Sequence, residues 1–388
     1  MMNAMTLFKD YKIIDVETGE VKTSNLIVEN GLISKITDSV PAEFDGEIIE
    51  GNGSYLMPGF INCHTHLAWD GKRDLQLQST EDSPAISAFK YCVNMGKNLD
   101  VGITAVRDLG MHKSNLEAVE AVKQGIVTSP RLYVCGEALM CTGGHTWWCG
   151  MEVDGPWALR AAVRKQIKAG AKVIKIMASG STMPQFTYEE IEAIVDEAHM
   201  HGVKVAAHAL VDKAIENVAK AGVDSVEHGG PMTEETIRIM GEKKIPIIPT
   251  LSATFIQARE GRAKGLPEAQ VLKRERQIAN PRTWNSIRAC LEAGCPLCFG
   301  NDAGSPLVTH DRIIPELEGL LELKLANSNL DLLKCLTING ANLIGDEKLG
   351  RIQEGCYADF VITKENPLDD IHNIMNPMVV LNGDVVRG

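Results

Sequence analysis

Phe60-Ile61-Asn62-Cys63-His64-Thr65-His66 follows a Met57-Pro58-Gly59 turn and reads as an apolar strand that ends in two histidines. Side chains two residues apart on a strand share a face, so His64 and His66 project together while Thr65 faces away. Two neutral imidazoles at the C-terminal end of a strand can ligate one metal ion. They can equally be ordinary buried histidines, and the rest of the chain has to decide.

Beyond this strand the pattern becomes strand, loop, helix, repeated. Further strands are expected at 102–107, 131–135, 173–177, 203–207, 225–227, 246–249 and 296–299, with helices at 116–123, 157–169, 188–201 and 212–221. Gly170, Gly202, Gly222 and Gly294 stand where helices stop before the next strand. Eight strands alternating with helices are the pattern of a (β/α)8 TIM barrel. A doubly wound open sheet is the competitor, but no glycine-rich dinucleotide fingerprint follows any strand.

Both ends of the chain are β-rich. Strands are expected at 7–14, 24–28, 32–36 and 47–50, with Asn30-Gly31 as a hairpin turn, and again at 358–362 and 378–386, broken by Asn382-Gly383. Neither end can bury a core alone. The expected organisation is a composite β-sandwich from 1–56 plus 352–388 around a barrel at 57–351.

In such barrels the active site lies at the C-terminal ends of the strands, and the ionisable residues collect there. His64 and His66 end the first strand, Lys175 lies in the fourth, His208 and His228 close the fifth and sixth, and Asp302 follows the eighth. A lysine between isoleucines is costly unless neutralised or paired. So many polar residues at one barrel mouth read as a metal site.

These residues resemble the amidohydrolase superfamily, metal-dependent hydrolases on a TIM barrel, over essentially the whole chain. The resemblance implies that His64, His66 and Asp302 bind one metal and His208 and His228 the second. It implies that Lys175, carboxylated by carbon dioxide, bridges them, and that Asp302 is also the catalytic acid/base. Two divalent ions, zinc being expected, would make hydroxide available near neutral pH. Asp302 would take its proton and pass it to the leaving nitrogen.

Within the superfamily the chain looks most like prolidase-like and Xaa-Arg/Lys dipeptidases, with imidazolonepropionase-like proteins more distant. The stretches that carry this are Val106-Arg107-Asp108-Leu109-Gly110, Thr142-Gly143-Gly144-His145, Met177-Ala178-Ser179-Gly180, Glu227-His228-Gly229 and Pro249-Thr250-Leu251. His145 matches the position that helps to polarise the scissile carbonyl. Arg107 reads better as a structural partner of Asp108 than as a substrate contact. Leu210 stands where such dipeptidases tend to have a substrate-contacting tyrosine. With Trp147 and Trp148 after His145, it favours a flatter or more apolar substrate.

Composition narrows the partners. The 388 residues carry a net charge of −12 with no basic cluster to offset it, which argues against nucleic acid and anionic membranes. No leader and no membrane-length apolar run is visible, so the cytoplasm is the expected compartment. Cys295-Pro296-Leu297-Cys298 has no second pair and lies in an apolar run, so it reads as core. The expectation is a homo-oligomeric hydrolase of an amide bond in a small molecule such as a dipeptide or N-acyl amino acid. Cyclic amidohydrolase, deaminase, lactonase and a non-catalytic assembly protein are the alternatives. Lys175 counts against the single-metal deaminase type, and the full ligand set counts against an assembly protein.

Overall fold

A computed structural model describes residues 5–40, 44–72, 74–110 and 114–388. Residues 1–4, part of the stretch in which no leader was expected, lie outside that range. In chain order the strands are β1 (Met5–Ile14), β2 (Val21–Glu29), β3 (Leu32–Thr37), β4 (Glu47–Glu50) and β5 (Tyr55–Pro58). Next come β6 (Phe60–Thr65), β7 (Ile103–Asp108), β8 (Arg131–Val134), β9 (Leu139–Met140) and β10 (Met151–Glu152). They are followed by β11 (Val173–Met177), β12 (Lys204–Ala209), β13 (Ser225–His228), β14 (Ile247–Ile248), β15 (Phe360–Thr363), β16 (Met378–Leu381) and β17 (Asp384–Arg387).

The two ends of the chain do meet. β1 to β5 and β15 to β17 form one eight-stranded sheet, in the order β17-β16-β15-β5-β1-β2-β3 with β4 also on β1. By hydrogen bonding it is a single continuous sheet. β1 pairs with β4 through Thr6–Lys9 and with β5 through Lys12–Ile13. Asp10, at φ 56°, marks the bulge between these halves. Phe8 meets Phe360 edge to face at 5.2 Å in the core of this sheet, beside Leu26, Leu56 and Val380.

The middle of the chain forms two parallel sheets, β6-β7-β8 and β10-β9-β11-β12-β13-β14. β11 and β12 at the centre of the second are buried on both faces, as near-continuous apolar runs require. Ile174, Val205 and Val226 pack against Val163, Ile194 and Val218 of the intervening helices. Those helices are well signalled. Thr187 and Glu190 form a reciprocal cap on helix Tyr188–Met200. Gly170 and Gly222 end helices Pro156–Ala169 and Asp212–Ala221 with φ of 108° and 88°, where a side chain would be strained.

Backbone hydrogen bonds link the edges of these sheets. Lys172 N donates to Val134 O at 2.8 Å, Cys298 N to Ile247 O at 3.1 Å, and Cys63 N to Phe299 O at 2.8 Å. The eighth strand expected at 296–299 is reduced to an isolated parallel bridge between Ile247 and Leu297. Some of its ladder groups are engaged elsewhere: Leu297 O accepts from the Asn339 side chain, and Phe299 N donates to Cys335 O. All ten cysteines are free. No helix among the described residues is long and apolar enough to cross a membrane.

Candidate functional site

The strand ends deliver their polar side chains to one place. The His64 ring lies 5.2 Å from that of His66 and 4.9 Å from that of His228. The His208 ring lies 4.5 Å from His228 and 4.9 Å from His145. Asp302 Oδ1 stands 3.1 Å from His66 Nε2 and 3.6 Å from His64 Nε2. One ligand atom from each of His64, His66 and Asp302 falls within 4.8 Å of the others, the one such group among the described residues. Thr65 faces away as the strand alternation requires, with Oγ1 at 3.1 Å from His310 Nδ1.

Several of these side chains are aimed by unusual backbone. His228, Thr250 and Asp302 have φ of 70°, 52° and 53°, in the left-handed region that non-glycine residues avoid. Beside them, the segment before Asp302 presses against β6. A Cβ on Gly300 would stand 2.7 Å from His64 Cβ and 2.5 Å from Ile248 Cγ2, so this approach needs glycine.

The donor set fits metal ions. Burial, with the Lys175 charge next in size, holds the His64 pKa well below its ordinary value. Burial also lowers His208, and it brings His228 down to about 4. These three imidazoles are therefore neutral near pH 7, the form that ligates. Burial alone would raise Asp302. The hydrogen bond from His66 and the neighbouring histidines outweigh it and hold the carboxyl well below the usual range. His66 Nδ1, Lys175 Nζ and His208 Nε2 are buried with no hydrogen-bond partner among the described residues, which is costly unless something else engages them. Burial lowers Lys175 to about 8, although Glu227 opposes the shift.

Behind the histidines lies a set of supports that sequence reasoning missed. Glu227, fully buried, sits with Oε2 2.7 Å from His64 Nδ1, which leaves His64 Nε2 directed at Asp302. Arg107 does not pair with its neighbour Asp108 as expected. Its NH2 donates to Glu227 Oε1 at 2.7 Å, its NH1 to Ser225 Oγ at 2.9 Å and its Nε to Cys63 O at 2.6 Å. Strand alternation explains the correction: successive side chains of β7 point to opposite faces, and Asp108 instead accepts from Tyr91 Oη and Gly110 N. Thr250 Oγ1 lies 2.6 Å from His228 Nδ1 and orients that ring in the same manner. The available signal was Glu227 itself, a carboxylate inside an apolar strand that needs a cation.

These groups open into a cavity of about 760 Å³, lined also by His145, Trp148 and Leu210. His145 is partly buried, and its amide donates to Gln185 Oε1 at 2.9 Å. Trp148 packs on Trp69 with ring centroids 5.9 Å apart. Trp147, expected beside it, is 51% exposed and does not line the cavity, because the short helical turn Trp147–Cys149 directs successive side chains apart. The remaining lining includes helix Glu268–Ile278, which the strand–helix pattern did not single out.

The chain is similar to known proteins over most of its length. It is 30% identical over 363 residues to an ochratoxinase of Aspergillus niger, covering 84% of this chain and 73% of that protein. It superposes on a prolidase complexed with N-methylphosphonate-L-proline with a TM-score of 0.89 at 28% identity, over 99% of this chain and all of the other. For a Xaa-Pro dipeptidase with methionine in its active site the TM-score is 0.88 at 26% identity, over 99% of this chain and 100% of that one. The pattern of the amidohydrolase family matches residues 55–386. From β5 into β17, then, this chain carries that family's pattern, and it belongs to the amidohydrolase family.

Proposed function

We propose that the protein is a binuclear metal-dependent hydrolase of a C–N bond in a small molecule, an N-acyl amino acid or a dipeptide. The observation that carries this reading is the set of buried, unpartnered nitrogens on His66, Lys175 and His208 around the close group of His64, His66 and Asp302. His64, His66 and Asp302 would hold one ion and His208 and His228 the other, and Lys175, as its carbamate, would add an anionic ligand. Bound divalent ions would supply a hydroxide near neutral pH and polarise the scissile carbonyl.

The chain's own residues do the rest. Asp302, kept ionised, takes a proton and returns it to the leaving nitrogen. Glu227 and Thr250 fix the ring orientations of His64 and His228. His145, which lines the cavity, would donate to the substrate carbonyl. Burial disfavours the charged form of Lys175 and so enlarges the neutral fraction of the amine, the form to which carbon dioxide would add.

The same reading takes the two parallel sheets as one closed barrel at 57–351 beside the composite unit of 1–56 and 352–388. The edge hydrogen bonds support it, as does the cluster of Ile61, Cys63, Ala105, Ile248 and Cys298, which draws on both sheets. The names of the similar proteins favour an amide substrate. The test is a screen of zinc-loaded protein against dipeptides, N-acyl amino acids, lactones and cyclic amides. Turnover of the first two classes is expected, and turnover of lactones alone would overturn the reading.

A further inference from the structure

We propose that Arg274, with Lys273 beside it, binds a free carboxylate of the substrate, so that the amide cleaved is one whose product amino acid is held by its acid group. The proposal rests on the amide-hydrolase reading above and names the substrate class within it.

The chain as a whole is acidic, with a net charge of −12. Yet helix Glu268–Ile278 contributes Lys273, Arg274 and Arg276 to the cavity. The carboxylates of that cavity are Asp302, among the histidines, and Asp212. Asp212 is engaged elsewhere, accepting from Thr233 N and Thr236 Oγ1, both at 2.8 Å. Among the described residues no carboxylate is ion-paired with Lys273, Arg274 or Arg276, so an anion entering the cavity meets cations without a salt-bridge partner.

Arg274 differs from Arg259, Arg262 and Arg312. Arg259 pairs with Glu322 at 2.5 Å, Arg262 with Glu268 and Glu275, and Arg312 with Glu260. Arg274 has no ion pair among the described residues. Its Nε donates to Gln257 Oε1 at 2.9 Å and its NH1 to Gln277 Oε1 at 2.9 Å, both neutral amides. The outer edge of the guanidinium keeps free donors, in the geometry that takes a carboxylate through paired N–H groups. Gln257 is fully buried, and its Nε2 donates to Pro306 O at 3.1 Å, which fixes Oε1 as the acceptor that holds Arg274. That bond also ties Arg274 to the segment just after Asp302, so it is placed relative to the reacting end.

Lys273 lies next to it, with Nζ donating to Ser181 Oγ at 3.2 Å. Burial and then the Arg274 charge disfavour its protonated form, and Lys273 is in turn one of the charges that lower His145. The Arg274 charge acts against that of Lys273, and an anion bound near both relieves that repulsion.

The experiment is calorimetric titration of the zinc-loaded protein with N-methylphosphonate-L-proline and with its carboxamide counterpart. The parent should bind the acid about ten- to a hundredfold more tightly than the amide, the range of a hydrogen bond to a charged group. Arg274→Gln should reduce that ratio to within about twofold while leaving affinity for the carboxamide almost unchanged, and Arg274→Lys should keep part of it. Lys273→Ala should lower it by a smaller factor, and raised salt should lower it in the parent. An unchanged ratio in Arg274→Gln, or an equal loss for both probes, assigns Arg274 to helix packing and overturns the proposal. Metal content matching the parent's shows that each variant is folded, and Arg274→Lys serves where Arg274→Gln is not. A parent that hydrolyses amides but does not distinguish the probes refutes the carboxylate site alone. A parent that hydrolyses no amide refutes the reading beneath it, and the site with it.

Discussion

The cavity has two kinds of wall, and they are built on opposite principles. The strand-end wall is buried: His64, His66 and Lys175 are 1–3% exposed, and each is aimed by hydrogen-bonded strands or by left-handed turns. The helical wall is polar: Lys273 and Arg276 are exposed and Arg274 is partly buried, on a helix that packs mainly on helix Leu251–Glu260. A buried wall tolerates little change and suits chemistry that needs fixed distances. A helix on the rim can vary its side chains at small cost to the fold and suits the choice of substrate.

The largest test of that contrast is Asp302→Asn. The amide keeps the shape of the side chain but cannot take a proton, so kcat should fall by about 10²- to 10⁴-fold with much of the metal retained. Turnover within about tenfold of the parent would show that Asp302 is not the base.

Asp302 and the residues gathered with it were legible in the sequence because a polar residue at the end of an apolar strand conflicts with its surroundings, and the conflict repeats at His64, Lys175, His208 and His228. The fold was legible for the same reason, since long apolar periods and terminal glycines mark the strands and helices. Arg107 was misread because adjacency in sequence suggested Asp108, whereas its partner Glu227 lies 120 residues away. Helix Glu268–Ile278 was not singled out because Glu268, Lys273, Arg274, Glu275 and Arg276 resemble any solvated helix face. Only the folded chain shows that some of those charges line the cavity.

Arg107→Met sharpens the comparison through stability. It leaves the Glu227 carboxylate buried without its cation, which should destabilise the protein by about 3–5 kcal/mol. Lys273→Ala on the helical wall should change stability by no more than about 0.5 kcal/mol. Urea unfolding of both variants at one pH measures the difference. Equal effects would mean that the two walls are not built differently.

The third test uses pH on metal-free protein. Burial depresses Lys175 from 10.5 to about 8, so the unfolded chain holds this proton more tightly than the folded one. Below about pH 8 both states are protonated and the folded protein bears the full cost of the buried charge. As pH rises from there towards 10.5 the folded state releases the proton first, and stability should increase. Lys175→Met should flatten that rise and be more stable than the parent at pH 7. A parent whose stability shows no such dependence on Lys175 would mean that the amine is not held in a low-dielectric setting.

The smallest effect separates two neighbours that look alike in sequence. Trp148 lines the cavity and packs on Trp69, which in turn stacks against His66 at 5.0 Å. Trp147 is 51% exposed and is not among the residues that line the cavity. Trp148→Ala removes apolar surface that a substrate would cover, so KM should rise by about tenfold, with kcat falling only as far as Trp69 loosens around His66. Trp147→Ala should leave both constants within about twofold, as an exposed side chain away from the site should. Because the residues are adjacent, the pair controls for any disturbance of the loop. If Trp147→Ala raises KM as much as Trp148→Ala does, this loop closes over the substrate and both tryptophans belong to the buried wall. If neither does, substrate recognition rests on the helical wall alone.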